Sequence, residues 1–81
     1  MTRNDLKDGM IIEEGDGWRY KVLDGKVYSI NLGNHYADIL DYNEDLTYSD
    51  CANELDNIIK VYDKDMNLLW NRYAENLLKV S

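Results

Sequence analysis

Residues 9–32 alternate between apolar and polar side chains with a period of two, and glycine interrupts the pattern at two points. That pattern predicts three short β-strands joined by tight turns. The first is Gly9-Met10-Ile11-Ile12-Glu13-Glu14, ended by Gly15-Asp16-Gly17. The second is Trp18-Arg19-Tyr20-Lys21-Val22, followed by Leu23 and the turn pair Asp24-Gly25. It is predicted to set Trp18, Tyr20 and Val22 on one face and Arg19 and Lys21 on the other. The third runs from Val27 to Leu32, with Tyr28, Ile30 and Leu32 sharing a face, and stops at Gly33-Asn34. Before this meander, Thr2, Asn4 or Asp5 is placed to cap one helical turn.

Beyond residue 33 the pattern is weaker. His35-Tyr36-Ala37-Asp38-Ile39-Leu40 reads as a fourth short strand. Residues 41–50 are polar and aperiodic, which predicts a long loop with room for one helical turn; loops of that length in compact domains often carry function. Residues 55–63 read as another strand, with Ile59 and Val61 facing one way and Ile58, Lys60 and Tyr62 the other. Apolar residues on both faces predict an interior position in the sheet. The C-terminal segment supports two readings. Met66, Leu69, Trp70, Tyr73, Leu77 and Val80 recur at intervals of three and four, as in an amphipathic helix. The turn residues Asp63-Lys64-Asp65-Met66-Asn67 instead predict a hairpin that pairs residues 68–72 with 57–62.

Eighty-one residues form one domain, 1–81, of modest stability. Phe and Pro are absent, so seven Tyr and two Trp supply the aromatic volume and Gly, Asn and Asp supply the turns. The apolar runs are too short for a transmembrane helix, and the N-terminus lacks an apolar signal segment; both lead to an expectation of a cytoplasmic protein.

Charge changes the picture more. The net charge is −7, and no Lys or Arg occurs from Val27 through Ile59. That stretch holds Asp38, Asp41, Glu44, Asp45, Asp50, Glu54 and Asp56, while the rest of the chain is balanced. Such a concentration disfavours direct binding to nucleic acid or to an anionic membrane and favours a basic partner.

Candidate chemistry is sparse. Cys51 and His35 are each single, so no nucleophile–base pair or shared metal site is read, and Gly15-x-Gly17 lacks the third glycine of a phosphate loop. Asp41-x-Asn43-x-Asp45 matches the opening of a Ca²⁺ loop, but Leu46 stands where Gly is needed and Ala52 where Glu is needed. Asp63-x-Asp65-x-Asn67 fails in the same way at Leu68 and Ala74, and Asx turns account for both. The expectation is a protein without enzymatic activity, metal or cofactor.

Four pieces stand in order along the chain: Asp5-Leu6-Lys7-Asp8-Gly9-Met10, Tyr42-Asn43-Glu44-Asp45-Leu46, Ile58-Ile59-Lys60-Val61-Tyr62 and Leu69-Trp70-Asn71-Arg72. In these the chain resembles a group of small phage and prophage proteins of Gram-positive bacteria. The resemblance implies an SH3-like β-barrel in which the Leu-Trp-x-Arg piece is a strand after a turn, which tips residues 57–72 toward the hairpin. The expected fold is therefore mainly β, either a small SH3-like barrel or a strongly bent antiparallel meander, with a short C-terminal helix left open over 74–81. The resemblance further implies an anti-defence role of the anti-CRISPR kind. In that reading a DNA-mimicking acidic face of Asp41, Tyr42, Glu44, Asp45, Tyr48, Asp50 and Glu54 blocks a basic host protein such as a defence nuclease. Carboxylates would form charge-assisted hydrogen bonds where phosphates otherwise sit, and Tyr would provide anchors. The alternatives are a homo-oligomeric phage adaptor or structural barrel, and a barrel that binds a small ligand or nucleotide signal.

Overall fold

A computed structural model describes residues 1–49 and 54–73. Six antiparallel strands form one sheet: β1 (Ile11–Glu14), β2 (Arg19–Leu23), β3 (Lys26–Ser29), β4 (His35–Asp38), β5 (Ile58–Tyr62) and β6 (Leu68–Asn71). Their order is β4-β3-β2-β1-β5-β6. Among the described residues β1 and β5 are thus interior, and the sheet does not close, since β4 and β6 are its two edges. Short 3-10 turns occupy Arg3–Asp5, Ile39–Asp41 and Glu54–Asp56. Among the described residues no helix is long and apolar enough to cross a membrane.

The turns set the register. Asp24 and Gly25 both have positive φ, 52° and 72°, the conformation of the tightest hairpin turn, whose twist matches that of the strands it joins. It pairs Leu23 with Lys26, hence Val22 with Val27 and Tyr20 with Ser29. Side chains directly opposite share a face, so Val27 and Ser29 point to the core beside Val22 and Tyr20. The face that carries Tyr28 is therefore the outer one. Tyr28 is half-buried, and Ile30 and Leu32 leave the sheet in the turn that follows, largely exposed. Trp18 also departs from expectation. It precedes β2, held by a 2.9 Å bond from its backbone N–H to Asp16 Oδ1, and does not join Tyr20 and Val22 inside.

β4 stops at Asp38 rather than Leu40, because Asp41 Oδ2 accepts the Asp38 N–H at 2.9 Å and winds the chain into a turn. Opposite Val27 and Tyr28 an extra residue enters β4, and Tyr36 stacks on Tyr20 with ring centroids 4.4 Å apart. A second irregularity, between β1 and β5, pairs Glu14 with Ile58 and Glu13 with Lys60. Ile59 is the additional residue, so Ile58 and Val61 both face inward, whereas plain alternation set them on opposite faces. Residues 63–71 form the hairpin, not the helix. Asp63 Oδ1 accepts the N–H groups of Asp65 and Asn67, both at 2.9 Å. Leu77 and Val80, and any helix over 74–81, lie outside the described residues.

The core lies on one face of the sheet: Ile12, Tyr20, Val22, Val27, Ala37, Ile58 and Val61, covered by Leu6 from the N-terminal segment and by Tyr42 and Leu46 from the loop. On the other face Ile11 and Glu13 of interior β1 are also buried. Glu13 accepts from Arg19 Nε at 2.8 Å and from the Tyr62 hydroxyl at 3.2 Å, and Lys60 Nζ stands 3.8 Å away. Long polar side chains thus roof that face with their stems.

Candidate functional site

The segment 41–49 covers the core from the side opposite those cations. Tyr42 and Leu46, four residues apart, are fully buried and act as its two pegs. Tyr42 pairs with Tyr48 in an isolated bridge, and their rings meet edge to face at 5.3 Å. Backbone bonds close the loop on itself and on its surroundings: Asn43 N–H to Thr47 O at 2.7 Å, Ile58 N–H to Leu46 O at 3.0 Å, and Arg3 N–H to Glu44 O at 3.0 Å. Leu46 has φ of 70°, in the left-handed region. A bulky side chain is rarely found there, and its burial is what offsets the strain.

Of the residues expected to form an acidic face, Asp41, Glu44 and Asp45 are exposed on this loop. Among the described residues none of the three carboxylates has a cation within ion-pair distance. Hydrogen bonds from the Thr47 hydroxyl at 2.6 Å and its N–H at 3.1 Å hold the Asp45 carboxyl below its ordinary range, and the nearby Arg72 adds to this. Tyr42 is a correction. It is a buried anchor, not a contact residue, because it and Leu46 are the only large side chains in 41–47 able to fill the open face of the sheet. Tyr48 is half-buried behind it. Asp50 lies outside the described residues, and Glu54 is described in its backbone only.

Two guanidinium groups flank the loop. Arg3 Nη1 donates to Tyr42 O at 2.9 Å, and Arg72 Nη2 and Nε donate to Asp45 O at 2.8 Å and Ile58 O at 3.0 Å. These bonds go to backbone carbonyls, so the two groups brace the loop rather than pair with its carboxylates, and Arg3 Nε is buried with no acceptor among the described residues.

Glu14 is the residue that sequence reasoning missed. Its side chain is fully buried. The Tyr42 hydroxyl donates to its Oε2 at 2.7 Å and the Tyr36 hydroxyl to its Oε1 at 3.3 Å. Burial pushes its carboxyl from 4.5 to about 7; the Tyr42 bond opposes this, while Asp16 and Asp56 reinforce it. Carboxylate oxygens of Glu14, Asp16 and Asp56 lie within 4.8 Å of one another, the spacing at which three acids can share one hard cation. Burial and the neighbouring Glu14 push Tyr20 up to about 12, and push Tyr36 and Tyr42 higher still. One signal was available in the chain: Glu14 has the same parity as Ile12, so it had to point inward.

Comparison with protein-family models, with curated proteins and with solved structures returns no match.

Proposed function

We propose that this protein is a non-catalytic binding module whose acidic loop docks on the basic surface of another protein. In its most concrete form it is a phage-encoded inhibitor of a host defence nuclease, of the anti-CRISPR kind. The observation that carries the reading is the pinned loop: Tyr42 and Leu46 bury its stem while Asp41, Glu44 and Asp45 stand outward without cationic partners among the described residues. Arg19, Lys21 and Lys26 alternate with the buried residues of β2 and β3 and so emerge on the opposite side. Carboxylates held in place lose little entropy on binding, and a groove lined with Lys and Arg is their complement. The inhibitor part of the reading rests on the resemblance to phage proteins. Among the described residues Glu14 is the carboxyl raised toward neutrality; it is sealed from solvent and so does not support acid–base catalysis on an external substrate.

The test is capture from a host lysate, identification of the captured protein, and assay of its nuclease activity with the inhibitor present. The reading predicts one basic nuclease that is captured and inhibited. It also predicts that both effects disappear when Asp41, Glu44, Asp45 and Asp50 are changed together to Asn or Gln. Capture that survives the quadruple change contradicts it.

The homo-oligomeric adaptor remains a second reading, favoured by one observation. Among the described residues β6 is an unpaired edge, and its Leu68 and Leu69 are 52% and 46% exposed. Edge strands of this kind pair with a second copy unless something blocks them. Light scattering at high concentration decides it, since a strict monomer contradicts self-association.

A further inference from the structure

A groove of about 590 Å³ lies where Arg19 leaves the sheet, between the β1–β2 turn, the end of β3 and the β5–β6 turn. Asp16, Trp18, Arg19, Ile30, Asn31 and Met66 line it. Its three large apolar side chains are each close to half exposed: Trp18 45%, Ile30 46%, Met66 43%. Single exposed apolar residues are ordinary, but three around one concavity of this size match a binding site. The walls are also preformed. Asp16 Oδ1 holds the Trp18 N–H at 2.9 Å, and Met66, at φ of 66°, sits in a turn closed by its own N–H on Asp63 O at 3.0 Å.

Charge at the groove narrows the occupant. Arg19 is already matched, with Nε on Glu13 Oε1 at 2.8 Å and its guanidinium 5.3 Å from the centre of the Tyr62 ring. Asp16 is the acid that lines the groove, and it has no cationic partner among the described residues. An anionic ligand would meet a neutralised arginine and the unmatched Asp16 carboxylate. We infer that this groove receives a large aliphatic side chain flanked by Arg or Lys, presented by a segment of a basic protein. The aliphatic group packs among Trp18, Ile30 and Met66, and the cation pairs with Asp16 over the indole face. The inference rests on the docking reading above and adds a second, apolar anchor separate from the acidic loop.

Two capped peptide amides test it, Gly-Arg-Leu-Leu-Arg-Gly and Gly-Glu-Leu-Leu-Glu-Gly, each titrated into the full-length ¹⁵N-labelled protein. The readout is the indole N–H signal of Trp18, assigned by its loss in Trp18→Phe, with the Trp70 indole as internal control. The Arg peptide is expected to move the Trp18 signal saturably and leave Trp70 in place, with the Glu peptide about tenfold weaker. Asp16→Asn and Ile30→Ala, both at exposed positions, are each expected to weaken the Arg peptide about threefold. No movement of Trp18, or an equal response to the Glu peptide or to AMP, overturns the inference. Partner capture that is lost with the neutralised loop but kept in Trp18→Ala also overturns it and leaves the docking reading standing. Specific filling of the groove by the Arg peptide, alongside capture that ignores the neutralised loop, supports the groove and removes the acidic-loop reading instead.

Discussion

Glu14 occupies an inward position of an interior strand, where an apolar residue would be expected, and the protein accommodates it with two tyrosine hydroxyls in place of a cation. A carboxyl whose folded value lies above its unfolded one holds a proton that the unfolded chain has already released. Its contribution to stability is therefore complete below about pH 4.5 and is lost as pH rises through about 7. The displacement corresponds to roughly 3 kcal/mol. Glu14→Gln is expected to flatten that part of the stability–pH curve and to make the protein more stable than wild type at pH 8, as read by urea unfolding at several pH values. A variant that keeps the wild-type slope contradicts the assignment. Tyr42→Phe removes the shorter of the two donors and is expected to cost about 1–3 kcal/mol, more at pH 8 than at pH 4, because an ionised acceptor loses more. Unchanged stability at both pH values would show that the hydroxyl does not matter.

At the level of elements, the loop over the core depends on Leu46 more than on any acid it displays. Leu46→Ala removes a fully buried side chain while keeping an unfavourable backbone conformation, so a loss of about 2–4 kcal/mol is expected. Exchange of the Ile58 amide, which donates to Leu46 O, should rise with it. Protection of Ile58 that matches wild type would contradict the peg role.

Much of the β architecture was legible from turn chemistry. Asp24-Gly25, Gly15-Asp16-Gly17 and residues 63–67 each mark a hairpin because their side chains or their tolerance of positive φ build the turn directly. The faces of β5 were not legible. An added residue in one strand of a pair changes the parity of everything beyond it, and such irregularities occur in β1–β5, β3–β4 and β5–β6. Tyr42 was misread for a different reason. Tyrosine suits a wet contact surface and a buried hydrogen-bonded site equally well, and only the Leu46 spacing hinted at the second.

Across the whole molecule, the acids of 41–45 and the cations of β2 and β3 lie on opposite sides of one sheet, with Arg3 and Arg72 bracing the acidic side through carbonyls. Exposed carboxylates without cationic partners contribute little to folding. Changing Asp41, Glu44 and Asp45 together to Asn, Gln and Asn keeps an acceptor oxygen at each position and is expected to cost no more than about 1 kcal/mol, most of it at the Asp41 and Asp45 bonds to backbone N–H groups. A thermal midpoint close to wild type would confirm that any lost binding is lost at the surface. A large drop would mean that these acids hold the loop together.

The most direct measurement is the affinity of the captured partner for wild-type protein and for the variant neutralised at Asp41, Glu44, Asp45 and Asp50, determined by calorimetry across a range of salt concentrations. The account predicts wild-type affinity that weakens steadily with added salt, and a variant that binds about tenfold or more weaker with a much flatter salt dependence. Equal affinities and equal salt dependence for the two proteins would contradict it.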